Sequence, residues 1–392
     1  MKSRPSRYLI VSLSVLGMGG CATVGDVAWD VATYPVRTAT DYTARQFKRY
    51  LFNPGRVIDD LRSLRRGFHS VVDLLQRDAG KQWGEDDTPI SGPRQTVKYS
   101  NQYKTRALIE FSRKRLTVET VAQGDVNDHL IRGLTDALLA PEDPRSMDLY
   151  SDAPIRDGGK PFLLGLVLDD LGRPISSRPQ ALAYAQKIVA TRAETRENAA
   201  GKLVHFVRAP MVDRMLETQA ARYKPLVAKN ADRFHLEPSL IFAIMETESS
   251  FNPYAVSSAP AFGLMQLVPT AGGRDAYRLV EGRDGIPDQD ELFTPARNIQ
   301  LGSAYLNILN TRYLAGVRNS TSRLYCVISA YNGGAGNVLH TFSRDRDAAV
   351  RIINRMSPAE VKARLLNDHP RAESRRYLAK VLRKRPKYGG VI

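Results

Sequence analysis

The sequence predicts a mainly α-helical protein: a helical domain at the C-terminus, preceded by a smaller α+β domain. Three observations carry this. From Pro210 onward apolar residues recur at helical spacing between short loops such as FNP, VPTAGG and YNGGAGN. Before that, the period falls to two in places: Leu116, Val118 and Thr120 alternate with Thr117, Glu119 and Val121. The chain's 392 residues, 43% hydrophobic and 25% charged, suffice for two or three ordinary globular domains.

The elements follow in order. Lys2, Arg4 and Arg7 precede a short apolar run, residues 9–16, too brief to span a bilayer. Gly19 and Gly20 then precede Cys21. Residues 1–20 therefore read as an export signal. The site is similar to a bacterial lipobox, with Met18 where that pattern usually has Leu. The resemblance implies an acylated Cys21 at the new N-terminus and, with Ala22 following, sorting to the periplasmic face of the outer membrane. A plain cleaved signal with an incidental cysteine is the other reading. Residues 21–40 read as the lipid-anchored tether and 41–209 as the α+β domain.

From Tyr42 basic residues recur among apolar ones: Arg45, Lys48, Arg49, Arg56, Arg62, Arg65, Arg66 and Arg77 beside Phe47, Leu51, Leu61 and Leu64. This is either an amphipathic helix for an anionic surface or a solvated helix face. Residues 81–93 are a loop by composition. Residues 107–111, 116–120 and 203–207 read as strands, 180–192 as a helix and 141–161 as a long connection. Residues 210–392 form the helical domain, with Pro210 and Pro238 at helix starts.

The formal net charge is +16, which favours an anionic partner: nucleic acid, an anionic lipid surface or an acidic wall polymer. The export signal argues against nucleic acid. Cys326, the other cysteine, lies in the apolar run LYCVISAY and reads as a buried, inert thiol. The six histidines are scattered without metal-ligand spacing, and no cofactor is expected.

The stretch METESSFNP holds two carboxylates, Glu246 and Glu248. On a helix over residues 238–249, Glu248 falls within the arc of Leu240, Ile241, Ile244 and Met245, and Glu246 falls opposite. Glu246 is thus expected to be a solvated surface residue. Glu248 sits on the face that should be buried, either satisfied by partners or holding its proton as a general acid does. Phe251-Asn252-Pro253 is expected to end the helix and leave Glu248 at a cleft rim.

These residues resemble a known family. Glu248-Ser249-Ser250-Phe251-Asn252-Pro253, Ala255-Val256-Ser257, Gly263-Leu264-Met265-Gln266-Leu267 and Pro269-Thr270-Ala271 look like the first two motifs of the Slt-type lytic transglycosylases. Ala330-Tyr331-Asn332-Gly333-Gly334 looks like the third, and Glu373-Ser374-Arg375-Arg376-Tyr377 like the fourth, with Ser374 where many members carry Thr. The lipobox, the α+β region and the runs ISAYNGGAGNVL and IINRMSP are similar to the membrane-bound lytic murein transglycosylase C group in particular. One departure is Pro260-Ala261 where the family often has Gly-Ala; proline fixes φ and removes a donor.

The resemblance implies a lysozyme-like helical domain that cleaves the MurNAc-GlcNAc β-1,4 bond of peptidoglycan strands without water. Glu248 would act first as acid, then as base, leaving a 1,6-anhydro ring. Substrate contacts are expected from Ser257, Met265, Gln266, Tyr331, Asn332, Glu373 and Tyr377. Met265 is expected to supply an apolar wall, and Gln266 hydrogen bonds to an N-acetyl group. Two other readings stay open, a non-catalytic peptidoglycan-binding lipoprotein and a muramidase hydrolase. The basic run from Arg371 to Lys387 can attract wall carboxylates or lipid headgroups.

Overall fold

A computed structural model describes residues 57–155 and 158–390, with side chains from residue 67 onward. The expected export signal, Cys21, the tether and the basic stretch before residue 57 lie outside these residues.

The first helix, α1 (Val57–Trp83), buries Phe68, Val72, Leu75, Ala79 and Trp83 along one stripe. Spacings of three and four place these side chains on one face. Phe68 and Val72 join the core of the C-terminal domain, whereas Leu75, Ala79 and Trp83 pack beneath the sheet. The described part of the basic stretch is therefore a packed helix, while Arg77 on its other face stays in solvent.

Five strands, β1 (Gln95–Ser100), β2 (Thr105–Glu110), β3 (Arg115–Thr120), β4 (Glu194–Glu197) and β5 (Leu203–Pro210), form one antiparallel sheet in the order β1-β2-β3-β5-β4. Two helices, α2 (Val126–Leu138) and α3 (Arg178–Arg192), cover one face through Ala107, Ile109, Leu116, Val118, Val207 and Ala209. The other face carries Arg106. This buried guanidinium pairs with Asp87 at 2.8 Å and Glu119 at 2.5 Å, and lies 3.7 Å from the Trp83 ring centroid. Burial of this arginine is tolerable because both carboxylates and the ring face replace its water.

The C-terminal domain comprises α4 (Met215–Phe234), α5 (Pro238–Glu248), α6 (Arg274–Glu281), α7 (Gln289–Phe293), α8 (Pro295–Ile308), α9 (Ser320–Gly333), α10 (Ala335–His340), α11 (Arg346–Arg355), α12 (Pro358–Asn367) and α13 (Ala372–Lys384). A single 3-10 turn, Arg385–Tyr388, follows. The molecule is thus mainly helical with a smaller α+β part before it. Pro238 does start a helix, but Pro210 closes β5, and the next helix begins at Met215. Cys326 is fully buried, and burial pushes its thiol up to about 12.

Helix α5 occupies the centre of this domain. Every residue from Leu240 to Thr247 is buried, because α4, α13 and the 3-10 turn all pack on it. Its apolar arc is therefore wider than the single face expected, and that matters for its two acids.

Candidate active site

Helix α5 is entered through Glu237, held extended by the following proline, with Pro238 at the first helical position. It stops at Glu248, earlier than Pro253 requires. Ser250 (φ 52°) and Phe251 (φ 63°) both take left-handed backbone, which no α-helix accommodates. Ser249 stabilises this exit: its amide donates to the Met245 carbonyl at 3.0 Å and its hydroxyl to that of Leu264 at 2.8 Å. The helix end is thereby fixed to the GLMQ loop.

That loop is built around Gly263 and Asn298. Gly263 has φ 72°, and a Cβ there would lie 2.4 Å from the Leu292 carbonyl oxygen, so only glycine fits. Asn298, buried at the start of α8, accepts from the Met265 amide (2.8 Å) and donates to the carbonyls of Phe262 (2.9 Å) and Leu292 (2.8 Å). Tyr331 donates to the Met265 carbonyl at 2.9 Å. Motif reading missed Asn298, which lies beyond the four motifs.

A groove of about 1040 Å³ runs past the end of α5. Glu248, Ser257, Gln266, Tyr331, Asn332, Glu373 and Tyr377 all line it, although they span 130 residues of sequence. Met265 does not. Its side chain is fully buried against Gly302, where even a Cβ would come within 2.3 Å of its sulfur. Met265 therefore offers no wall to the groove, because the turn that presents Gln266 (φ 48°) points the preceding side chain inward. Pro260 is accommodated: the Ser257 amide donates to the Ala261 carbonyl at 3.1 Å, and the Ala261 amide to the Ser257 hydroxyl at 3.2 Å. The missing proline donor is not needed.

Gln266 spends its amide group on the carbonyls of Ala255 and Gly263, each at 3.0 Å, and its carbonyl oxygen has no protein partner. Gln266 lines the groove, and this buried oxygen is left without a donor. Asn332 accepts from Ser374 at 2.8 Å and donates to Glu373 at 3.5 Å, orienting that exposed carboxylate. Gly333 allows this approach, since a Cβ there would lie 2.5 Å from the Ser374 hydroxyl.

Glu248 is shielded but still open to the groove. Burial raises its pKa from 4.5 to about 7; Tyr377 lowers it by hydrogen bonding, Glu373 raises it by like charge, and Arg94 and Lys384 lower it. Tyr377 and Tyr331 face this carboxyl, and burial first, then the Glu248 charge, pushes both phenols upward. The Tyr377 hydroxyl couples to Glu248 electrostatically and otherwise meets no hydrogen-bond partner within 3.5 Å. A carboxyl titrating near neutrality can both give and take a proton, which a general acid–base residue must do.

Glu246 corrects the sequence expectation. It is 4% exposed, not solvated. Lys384 lies 3.3 Å and Lys387 3.5 Å from one oxygen, and the Tyr388 hydroxyl donates to the other at 2.7 Å. Tyr388 also stacks on Phe242, with ring centroids 5.2 Å apart. The C-terminal basic run is thus divided. Arg371, Arg376 and Lys380 line the groove, whereas Lys384, Lys387 and Arg385 clasp the back of α5.

One groove wall comes from the N-terminal domain, through Pro93, Arg94, Gln95, Glu110 and Ser112. Asn252 anchors it, accepting from Thr96 at 3.3 Å and donating to the Pro93 carbonyl at 3.4 Å. No pattern in the sequence pairs residues 92–96 with 247–252. Among the described residues no group of three or more His, Cys, Asp or Glu is placed to hold a metal ion.

Comparison with known proteins gives two family matches. Residues 61–222 match the model described as "Membrane-bound lytic murein transglycosylase C, N-terminal domain", and residues 225–354 match "Transglycosylase SLT domain". Among curated proteins, the membrane-bound lytic murein transglycosylase C of Yersinia enterocolitica is 44% identical over 316 residues, 80% of this chain and 88% of that protein. The protein of the same name from Salmonella arizonae is 44% identical over 80% of this chain and 87% of its own length. The crystal structure of the 70 kDa soluble lytic transglycosylase of Escherichia coli overlaps 42% of this chain and 24% of its own, at 23% identity and TM-score 0.33, too partial a likeness to argue from.

Proposed function

Because the chain belongs to the membrane-bound lytic murein transglycosylase C family, we propose that Glu248 is the acid–base residue by which it cleaves peptidoglycan. The chain is a lytic murein transglycosylase with a lysozyme-like C-terminal domain, and peptidoglycan is its substrate. The observation that carries the mechanism is a single groove carboxyl held near neutral pKa.

In this reading protonated Glu248 gives its proton to the glycosidic oxygen of the MurNAc-GlcNAc β-1,4 bond as that bond breaks. The carboxylate then takes the proton of the muramyl 6-hydroxyl, whose oxygen closes on C1 to give the 1,6-anhydro end. Atoms balance without water. A retaining hydrolase uses a second carboxylate as nucleophile, whereas a substrate-assisted enzyme does without one. The other groove acids are poor nucleophiles for this bond: Glu373 is exposed and tied to Asn332, and Glu110 is tied to Arg113 and Arg115. Gln266 and Ser257 serve the N-acetyl group, Tyr377 faces Glu248, Tyr331 fixes the Gln266 loop through the Met265 carbonyl, and Asn332 orients Glu373.

We extend the reading to the cell. Cys21 carries the lipid that holds the chain on the periplasmic face of the outer membrane. Residues 41–209 form the α+β domain and 210–392 the transglycosylase domain, a division supported by the end of β5 at Pro210. No described helix is long and apolar enough to cross a membrane. Cys21→Ser is expected to abolish palmitate labelling and release the protein from the membrane fraction.

The deciding experiment digests purified sacculi and weighs the products. Anhydro ends lack one water relative to reducing ends, so mass spectrometry separates lyase from muramidase. Glu248→Gln is expected to release no muropeptides; equal release by parent and variant sinks the assignment of Glu248.

A further inference from the structure

We propose that Arg94 and Lys384, one from each domain, position the catalytic end of α5, and that Glu246 is the counter-charge that limits how far Lys384 bears on Glu248. The proposal rests on the reading of Glu248 as the acid–base residue.

The last carbonyls of a helix lack intrahelical partners and carry its negative end. In α5 three of them have specific answers. The Met245 carbonyl takes the Ser249 amide at 3.0 Å. The Glu246 carbonyl takes the Ser250 amide at 3.2 Å and the Lys384 ammonium at 3.0 Å. The Thr247 carbonyl takes a guanidinium N–H of Arg94 at 3.0 Å. Two cations thus hold the final turn, one from the loop before β1 and one from the end of α13. Glu248 closes that turn, so its backbone cannot shift without disturbing these bonds.

The same cations act on its proton. The charged or titratable groups bearing on Glu248 are Arg94 from the N-terminal domain, Tyr331 from α9, and Glu373, Tyr377 and Lys384 from α13. Burial raises the Glu248 pKa, while Arg94 and Lys384 pull it back. Around Glu246 stand Lys384, Lys387 and Tyr388, with Glu217 of α4 bearing on Tyr388. Lys384 is 14% exposed and Glu246 5%, so water screens their pairing little. Neutralising Lys384 from behind lets it hold the helix end without stripping Glu248 of its proton.

The test is the pH dependence of kcat/KM for muropeptide release from purified sacculi. The signs oppose. Arg94→Gln removes a cation, favours protonated Glu248 and moves the alkaline limb upward; Glu246→Gln leaves Lys384 uncompensated and moves it downward. Each displacement is expected to be about half a pH unit. Adding Lys384→Met to Glu246→Gln is expected to return the limb towards the parent. Should Glu246→Gln fail to fold, Lys384→Met alone, which leaves Glu246 with Lys387 and Tyr388, is expected to move the limb upward as Arg94→Gln does. Limbs that coincide with the parent, or that move together in Arg94→Gln and Glu246→Gln, overturn the proposal. A Glu248→Gln control separates the two failures. Turnover in that variant removes the premise, whereas its loss beside unmoved limbs removes the positioning claim alone.

Discussion

Helix α5 presents the same side chain to two environments, two residues apart. Glu246 faces the rear, where two ammonium groups and a phenol meet its oxygens. Glu248 faces the groove, where two phenols and a second carboxylate stand nearest and the cations bind backbone carbonyls instead. Both are shielded from water, so burial alone does not make a general acid. What differs is who replaces the water: cations at the carboxyl oxygens stabilise charge, whereas burial beside a like charge leaves a proton in place. The rear acid fastens the helix and the front one is free for chemistry.

The comparison is broken most severely by exchanging the outcomes of two isosteric substitutions. Glu248→Gln is expected to cost about 10³-fold or more in muropeptide release, the scale of a lost acid–base residue, with no loss of thermal stability. Glu246→Gln is expected to keep activity within about tenfold but to destabilise the fold by about 3 kcal/mol, because it leaves buried Lys384 without its partner. Denaturant melts and initial rates on the same preparations decide it. A stable, inactive Glu246→Gln would show that the rear acid also does chemistry.

Only part of this contrast was legible in the sequence. The wheel placed the two acids on opposite faces and put Glu248 on a buried one, since helical geometry is local. It assigned Glu246 to solvent because its partners come from residues 384–388, more than 130 positions away. The bonds of Arg94 to Thr247 and of Thr96 to Asn252 are illegible for the same reason. Met265 was misplaced because a motif gives residue order but not side-chain direction, and the left-handed Gln266 turns Met265 inward.

In the N-terminal domain, strands β2, β3 and β5 and helix α3 were legible by period. Strand β1 was not: Lys98 interrupts its pattern yet is buried, donating to the Ser151 carbonyl at 2.7 Å. Edge strand β4 has the sequence ETRE and no apolar residue to mark it. Helix α2, absent from the expected elements, carries Leu130, Leu134 and Leu138 at every fourth residue.

The front face is sharpened next by Tyr377→Phe. Removing this hydroxyl takes away the one side-chain hydrogen bond that lowers the Glu248 pKa. The expected result is about a tenfold loss in kcat, with the alkaline limb of the pH profile displaced upward. Tyr388→Phe on the rear face removes a comparable bond from Glu246. It is expected to cost about 1 kcal/mol of stability and to leave that limb where it was. A pair of profiles on sacculi distinguishes the phenols, and equal displacement in both would erase the difference between the faces.

The smallest expected effect concerns stability against pH. The Glu248 pKa is about 7 in the folded protein against 4.5 as a model value. Below the lower value the carboxyl is protonated in both states and contributes no penalty. As pH rises between the two, the unfolded chain releases its proton while the native one retains it, so stability falls, and the loss is complete above the higher value. Glutamine has nothing to release. The Tm of Glu248→Gln is therefore expected to match the parent near pH 4.5 and to exceed it above about pH 8, by an amount worth about 1 kcal/mol after groove water is allowed for. Glu246→Gln is expected to lie below the parent at both values, because its partner Lys384 remains unpaired throughout. A Glu248→Gln melt that tracks the parent at both pH values would mean that the front carboxyl is as well satisfied in its charged form as the rear one, and the two faces of α5 would no longer differ.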